Sequence, residues 1–323
     1  MNKHDIKIGV SLYSLSTQFI HEELDLEGCL KTVHDMGYKG VEIVAAQMVP
    51  DYPCPSDEWL YTFRGLLAKY ELEPVCWSAY IDMGVRSDRD MTEAEIIQCT
   101  LNDLIYAKKA GFPMVRTQHA ISPTIFRKMI PYCKDLGVKL TIEMHWPHHP
   151  DVPVWKEYFE IMKNEGKGYL GFVPDFSIFQ AMPHELYLRQ ARDEGCRPEK
   201  LNEIVKIHAE GGDMDRVNAG DFSMVEKAVA EEMFGKFNHP ARIEQFRDLI
   251  DCVFYIHGKF YYLDNDAHDP CIPYEEIISE FVKYGYKGYI ASEFEGHHFY
   301  SDVDCVAQLR HYVAMNQAIL DNL

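Results

Sequence analysis

Four residues with metal-binding side chains stand singly at the ends of apolar, strand-like runs. They are Glu143, Asp175, His257 and Glu293. In a parallel barrel the carboxyl ends of the strands meet at one rim, where the catalytic groups of such barrels lie. Three carboxylates that converge there repel one another unless a cation neutralises them. Together with one imidazole they form an oxygen-rich ligand set suited to a divalent ion. The sequence therefore predicts one metal centre held by these four side chains.

Other polar residues follow the same strand-like runs. Residues i and i+2 of a strand face the same side, so His145 should face the cavity of Glu143, and Lys259 that of His257. Imidazole titrates near neutral pH, which makes His145 the predicted general base. The alternative for His145 is a buried neutral ring that bonds a carbonyl. Lys259 is predicted to bind a substrate oxygen or to pair with Glu295. Further polar strand-end candidates are Glu42, Arg116, Gln118, His119, His297 and His298. Of these, Arg116 and His297 are predicted to bind substrate.

The elements that must position these residues are joined by a repeated pattern. A helical segment ends on glycine and a β-branched or aromatic run follows, at Gly37, Gly111, Gly137 and Gly285. Glycine just past a helix end permits the left-handed C-cap. A series of such joints is typical of αβ units around a parallel sheet.

Eight strands and intervening helices predict a single (β/α)8 TIM barrel over residues 1–323. The predicted strands are Lys7–Leu15, Gly40–Ala45, Glu73–Ala79, Met114–Gln118, Val138–His145, Leu170–Asp175, Val253–Leu263 and Gly288–Phe294. The predicted helices include Leu24–Met36, Glu93–Ala110, Ser122–Leu136, Trp155–Asn164, Tyr274–Tyr284 and Asp302–Asp321. Ile204–His208 is interpreted as helix because Leu201, Ile204, Val205 and His208 follow i, i+3, i+4, i+7 spacing. The interval between strands 6 and 7 is long, which predicts an inserted helical or lid-like segment over about 180–240.

Composition narrows the classes of function. The net charge is −19 and no run of Lys or Arg is present, which argues against a nucleic-acid or membrane-surface partner. The nine cysteines contain no CxxC pair. No apolar run approaches the roughly 18 residues that span a bilayer, and no signal-peptide core follows Met1. These features predict a soluble protein of the reducing cytoplasm.

The order Glu, Asp, His, Glu on strands five to eight resembles the xylose isomerase-like barrel superfamily of sugar phosphate isomerases and epimerases. The matching motifs are Thr141-Ile-Glu143, Pro174-Asp175, Ile256-His257-Gly-Lys259 and Ser292-Glu293. The resemblance covers nearly the whole chain and implies that these four residues bind one divalent ion. Mn²⁺ is the expected ion, with Mg²⁺, Co²⁺ or Zn²⁺ as alternatives.

One position departs from the ketose epimerases of that group, which carry a histidine three residues after the metal Asp. Here that position is Ile178. The Glu143-Met-His145-Trp146 segment and the long insertion look more like the α subunit of bacterial C-glycoside deglycosidases. That resemblance implies a 3-oxo-glucoside substrate and a small β subunit in a hetero-oligomer. His145 would remove the C2 proton, and the resulting enolate would expel the aglycone from C1.

Three alternatives accompany this lyase hypothesis. A sugar isomerase or 3-epimerase would act through an enediolate, with Glu143 and Glu293 exchanging the proton. A phosphodiesterase similar to endonuclease IV would need more metal ligands and a basic DNA-binding face, which the charge of −19 opposes. A non-catalytic sugar-binding barrel would bind no metal.

Overall fold

The computed structural model describes residues 4–118 and 120–323. Over these residues the chain forms one eight-stranded parallel sheet. The strands are β1 (Lys7–Ser11), β2 (Gly40–Val44), β3 (Glu73–Ser78), β4 (Met114–Thr117), β5 (Lys139–Met144), β6 (Leu170–Pro174), β7 (Ile256–Phe260) and β8 (Tyr289–Phe294). The predicted parallel (β/α)8 barrel is confirmed.

The strands are ordered β6-β5-β4-β3-β2-β1-β8-β7, so β6 and β7 form the two edges that must meet. They do so through two isolated parallel bridges, Phe172 with Val253 and Asp175 with His257. We call this contact the β6–β7 seam. The barrel is thus closed by single bridges at the place where two of the predicted metal ligands lie opposite each other.

Helices surround the sheet, and several βα units carry more than one. They are α1 (Ser16–Ile20), α2 (Leu26–Asp35), α3 (Ala45–Met48), α4 (Asp57–Lys69), α5 (Glu93–Ala110), α6 (Pro123–Lys128), α7 (Ile130–Leu136), α8 (Pro153–Glu160), α9 (Glu185–Asp193), α10 (Pro198–Ala209), α11 (Met214–Ala219), α12 (Met224–Phe237), α13 (Tyr274–Lys283) and α14 (Cys305–Asn322). Other helical segments are the 3-10 helices Leu12–Leu15, Phe176–Phe179, Ile243–Cys252 and Gly296–His298 and the π-helix Ile161–Glu165. In the described parts of the chain, no helix has the length and apolar character needed to cross a membrane.

Helix α5 shows how local sequence sets an element's ends. The Thr92 hydroxyl accepts a hydrogen bond from the Glu95 amide, and the Glu95 carboxylate accepts one from the Thr92 amide, which forms a capping box. The helix ends at Gly111, whose φ of 91° lies in the left-handed region that glycine adopts without steric cost. The glycines of the other three predicted joints also have positive φ.

Among the predicted elements, three show particularly clear differences from the structure. The first strand stops at Ser11, because a 3-10 helix then places the buried Leu12 and Leu15 on one face. The seventh strand covers Ile256–Phe260 only, because a 3-10 helix extends up to Cys252 before it. The helix predicted over 122–136 is divided into α6 and α7, since Pro131 lacks the amide hydrogen that a continuous helix would use.

Residues 175–255, between β6 and β7, contain α9 to α12. Ile204–His208 lies within α10 and is helical, as predicted. These helices bury apolar side chains against one another in a cluster separate from the main core, which we call the α9–α12 cluster. Its members include Tyr187, Leu201, Met233 and Phe237. This cluster supports the segment from inside and fixes the position of α12 above the barrel rim.

Candidate active site

The four side chains predicted as metal ligands come together, but His257 was predicted at a strand's end and is instead the second residue of β7, where it lies opposite Asp175. Glu143, His257 and Glu293 lie in β5, β7 and β8, and Asp175 directly follows β6. One potential ligand atom from each lies within 4.8 Å of all the others. Asp175 and His257 are fully buried, and Glu143 and Glu293 nearly so. This buried acidic and histidine cluster could hold a metal ion.

The two ring nitrogens of His257 have different surroundings. Nδ1 lies 2.7 Å from Glu143 Oε1 and 3.1 Å from Glu293 Oε2, whereas Nε2 lies 2.8 Å from Glu42 Oε2. Burial alone would lower the pKa of this imidazole, but the carboxylates of Glu293, Glu42 and Glu143 raise it well above its ordinary value. A cation that binds Nδ1 would displace its proton, while Glu42 would continue to accept a hydrogen bond from Nε2.

Two buried side chains, Arg116 and Lys259, partly compensate the negative charge of the ligand carboxylates. Arg116 donates from Nη1 to Glu143 Oε2 at 2.6 Å. Burial would raise the pKa of the Glu143 carboxyl, but Arg116 and His257 together bring it below its ordinary value. Lys259 Nζ lies 2.6 Å from Glu295 Oε1, 3.1 Å from Glu293 Oε2 and 3.4 Å from Asp175 Oδ2. Both side chains therefore keep neighbouring carboxylates ionised.

The charge balance fits one divalent ion. The buried carboxylates are Glu42, Glu143, Asp175 and Glu293, and the buried permanent cations among their partners are Arg116 and Lys259. If His257 is neutral, this group carries two uncompensated negative charges. Asp175 Oδ2 and Glu293 Oε2 are buried, and among the described residues they have ion-pair contacts with Lys259 but accept no well-oriented hydrogen bond. Burial raises the pKa of Asp175 to about 6, even though the nearby Lys259 acts to lower it. The residues present thus suit an added cation.

A cavity of about 360 Å³ lies over the cluster. Glu143, Glu293, Arg116 and Lys259 line it, and so does the half-buried His145. His145 Nδ1 is 2.5 Å from the Trp146 carbonyl oxygen, which can only accept, so this nitrogen carries a proton. In the neutral ring Nε2 then holds the free lone pair. The arrangement provides an imidazole with a free lone pair on the wall of a cavity that two of the ligand residues, Glu143 and Glu293, also line.

The remaining predicted site residues are placed differently. His297 does not line the described cavity, and its ring instead contacts Tyr13 and Phe294 at centroid distances of 5.3 and 5.7 Å. Burial lowers the pKa of His297 to about 4, so this side chain is neutral. Gln118 does line the cavity. His119 lies outside the described residues.

Two tyrosines that line the cavity, Tyr13 and Tyr80, are absent from the residues predicted from the sequence. Tyr80 follows the third strand almost directly, and its hydroxyl accepts a hydrogen bond from Arg116 at 3.3 Å. The strand-end rule that selected the metal ligands would have selected Tyr80 as well. Tyr13 lies in the 3-10 helix that replaces the end of the first predicted strand, so no simple pattern indicates it.

A family model described as a xylose isomerase-like TIM barrel matches residues 30–314. The chain belongs to this family. Barrels of the same fold include a solved L-ribulose 3-epimerase, which aligns over 98% of this chain and 95% of its own with a TM-score of 0.61 and 11% identity.

Two curated members of comparable length are similar along most of the sequence. The 3'-dehydrocarminate deglycosidase alpha subunit of a Microbacterium species is 29% identical over 91% of this chain and 89% of its own. The C-glycoside deglycosidase alpha subunit of Arthrobacter globiformis is 30% identical over 91% and 86%, respectively. This chain is accordingly an enzyme, and the non-catalytic alternative is set aside.

Proposed function

We propose that this enzyme is the α subunit of a metal-dependent C-glycoside deglycosidase that cleaves 3-oxo-glucosides. The observation that carries the proposal is the position of His145, whose fixed ring lines the cavity above the ligand cluster. The names of the two curated relatives support the same activity. They also support a hetero-oligomer with a small β subunit, because both relatives are named α subunits.

Glu143, Asp175, Glu293 and Nδ1 of His257 would hold one divalent cation, for which we propose Mn²⁺. When bound, such an ion stabilises negative charge that develops on substrate oxygens. Arg116 and Lys259 position two of these carboxylates, since each lies within 3.1 Å of one of them. Arg116 contacts Glu143, and Lys259 contacts Glu293. The cations thus hold the ligand oxygens in place before an ion arrives.

His145 would accept the C2 proton of the sugar on Nε2. The electrons of the C2–H bond form the enolate with the C3 carbonyl, and their return makes a C1–C2 double bond. The bond between C1 and the aglycone breaks, and the aglycone leaves with that electron pair and takes up a proton. A proton flanked by a carbonyl is acidic enough for imidazole to remove, which explains why the sugar must first be oxidised at C3.

The proposed function is tested with a matched pair of substrates, a 3-oxo-glucoside and the unoxidised glucoside of the same aglycone. We expect aglycone release from the oxidised compound alone, in the presence of Mn²⁺, as measured by chromatography. Any small subunit encoded beside the gene is added in a parallel reaction. Equal release from both substrates, or release from neither with the small subunit present, would contradict the lyase proposal.

A sugar 3-epimerase is the second candidate, because Glu143 and Glu293 both line the cavity and could exchange a proton on opposite faces of a substrate. The structure supplies one argument against it. Ile178, which replaces the histidine typical of ketose epimerases, is 3% exposed and packs in the main core. Interconversion of free ketoses without aglycone release would favour the epimerase.

Glu42 provides a prediction about the metal centre. In Glu42→Gln the amide keeps the shape of the side chain but accepts the Nε2 proton of His257 less strongly, so the imidazole is a poorer ligand. We expect the affinity for Mn²⁺ to fall by about 10- to 100-fold, as measured by titration calorimetry. Glu73→Gln is the matched control, because this exposed glutamate pairs with Lys7 instead. An Mn²⁺ affinity equal to that of the control would show that Glu42 does not orient His257.

A further inference from the structure

A second cavity, of about 260 Å³, adjoins the first. Its lining includes His145, Trp146, Lys236, Tyr261 and Phe299. His145 and Trp146 also line the cavity over the ligand cluster. A molecule that reacts at His145 can therefore extend from one space into the other. We call the second space the aromatic cavity.

Several walls of the aromatic cavity are aromatic rings that contact further rings, and Ser177 and Gln180 also line it. Tyr261 stacks on the buried His184 at 4.1 Å with an interplanar angle of 9°. Phe299 meets the edge of the same imidazole at 4.5 Å. On the other side, the indole of Trp146 donates from Nε1 to the carbonyl oxygen of Lys236 at 3.0 Å. These contacts fix flat apolar surfaces, which favour a planar aromatic ligand.

Lys236 and Glu295 are charged residues in the lining of the aromatic cavity. Its half-buried ammonium lies 5.5 Å from the ring centroid of Trp146 and 5.6 Å from that of Phe237. Among the described residues it has no carboxylate within ion-pairing distance. Glu295 also lines the cavity, but its carboxylate pairs with Lys259 at 2.6 Å. Lys236 therefore contacts rings but forms no direct ion pair with a described residue, although the carboxylates of Glu232 and Glu295 are near enough to act on its charge.

We propose that the aromatic cavity binds the aglycone as a planar aromatic group that carries an anionic oxygen, with Lys236 as the counter-ion. This inference rests on the proposed function, because it assigns the leaving group to the space beside the sugar. Lys236 and Phe237 come from α12, so residues between β6 and β7 would select the aglycone. The ring would lie among Trp146, Tyr261 and Phe299, and its oxygen would face Lys236.

The test measures binding of two probes of equal shape, 2-naphthoate and the neutral naphthalene-2-carboxamide, by calorimetry. We expect the unmodified protein to bind the anion about tenfold more tightly, as a charge-assisted contact implies. Lys236→Met keeps the apolar stem and should remove this preference, whereas Lys236→Arg should retain it. Lys206→Met, at an exposed position of α10, is the matched control and should behave as the unmodified protein. Trp146→Ala should weaken the binding of both probes, which would show that they bind in the aromatic cavity.

Equal binding of both probes by the unmodified protein would overturn the inference, as would an anion preference that persists in Lys236→Met. Turnover of methyl 3-oxo-glucoside is measured in parallel, because this substrate reports the lyase reaction without an aromatic aglycone. Turnover without anion preference would overturn the aromatic site and support the lyase. A Lys236-dependent preference without turnover, when any small subunit encoded beside the gene is present, would support the aromatic anion site and overturn the lyase.

Discussion

Replacing His257 with alanine is expected to abolish metal retention and catalytic activity together. The imidazole is the only nitrogen ligand of the four-residue cluster, and Nδ1 lies between the carboxylates of Glu143 and Glu293. Without the imidazole, three carboxylate ligands remain, and Glu143 and Glu293 lose the ring nitrogen that lies between them. Metal content of the purified protein, measured by mass spectrometry, and aglycone release provide two independent readouts.

Two further variants make this result interpretable. The alanine variant leaves a void beside buried charges, so loss of folding is checked by circular dichroism. Glu293→Gln preserves side-chain shape while it removes one anionic ligand, and it should also lower metal retention. His21→Ala, at an exposed position, should keep full metal content and full activity. If His257→Ala and Glu293→Gln both keep full metal occupancy and full turnover, these residues are not the metal ligands.

His145→Ala is expected to retain the metal but to lose activity by about 10²- to 10⁴-fold, the usual contribution of a positioned general base. His145 is not a member of the ligand cluster and lies beyond the end of β5, so its removal leaves the cluster intact. The rate constant is measured under single-turnover conditions with a 3-oxo-glucoside. Metal content is measured on the same sample.

His149→Ala is the matched control, since this histidine lies in the same loop but does not line the cavity among the described residues. Its rate should equal that of the unmodified enzyme. Added imidazole should partly restore activity to His145→Ala, because it can occupy the space of the missing ring. If His145→Ala remains within a factor of about two of the unmodified enzyme, the base is another residue, with Glu293 or Glu143 the next candidates.

The sequence predicts the barrel and the ligand cluster because both depend on short-range patterns. The glycine joints at Gly37, Gly111, Gly137 and Gly285 mark the helix ends locally, and their positive φ values follow from that chemistry. Glu143, Asp175 and Glu293 follow from one rule of parallel barrels, that strand ends share a rim. These inferences do not require knowledge of which distant residues touch, whereas the place of His257 near the start of β7, opposite Asp175, does.

Other features depend on contacts between distant residues and could not be predicted. Lys236 lies in α12 with no local signal to distinguish it from other helical lysines. Its proximity to Trp146 depends on how the α9–α12 cluster packs over the rim. Likewise, Leu12 and Leu15 fit either a strand or a 3-10 helix until the packing of the first βα unit decides between them.

The β6–β7 seam gives the metal centre a second consequence. Other neighbouring strands are joined by ladders of at least two consecutive residue pairs, whereas Asp175 and His257 belong to an isolated bridge at the seam. The chain leaves the barrel at this seam after β6 and returns to it before β7. An ion held by both residues would cross-link the least connected edges of the sheet. The free energy of metal binding would then also stabilise the closed barrel. Metal binding and closure of the β6–β7 seam would therefore be thermodynamically linked.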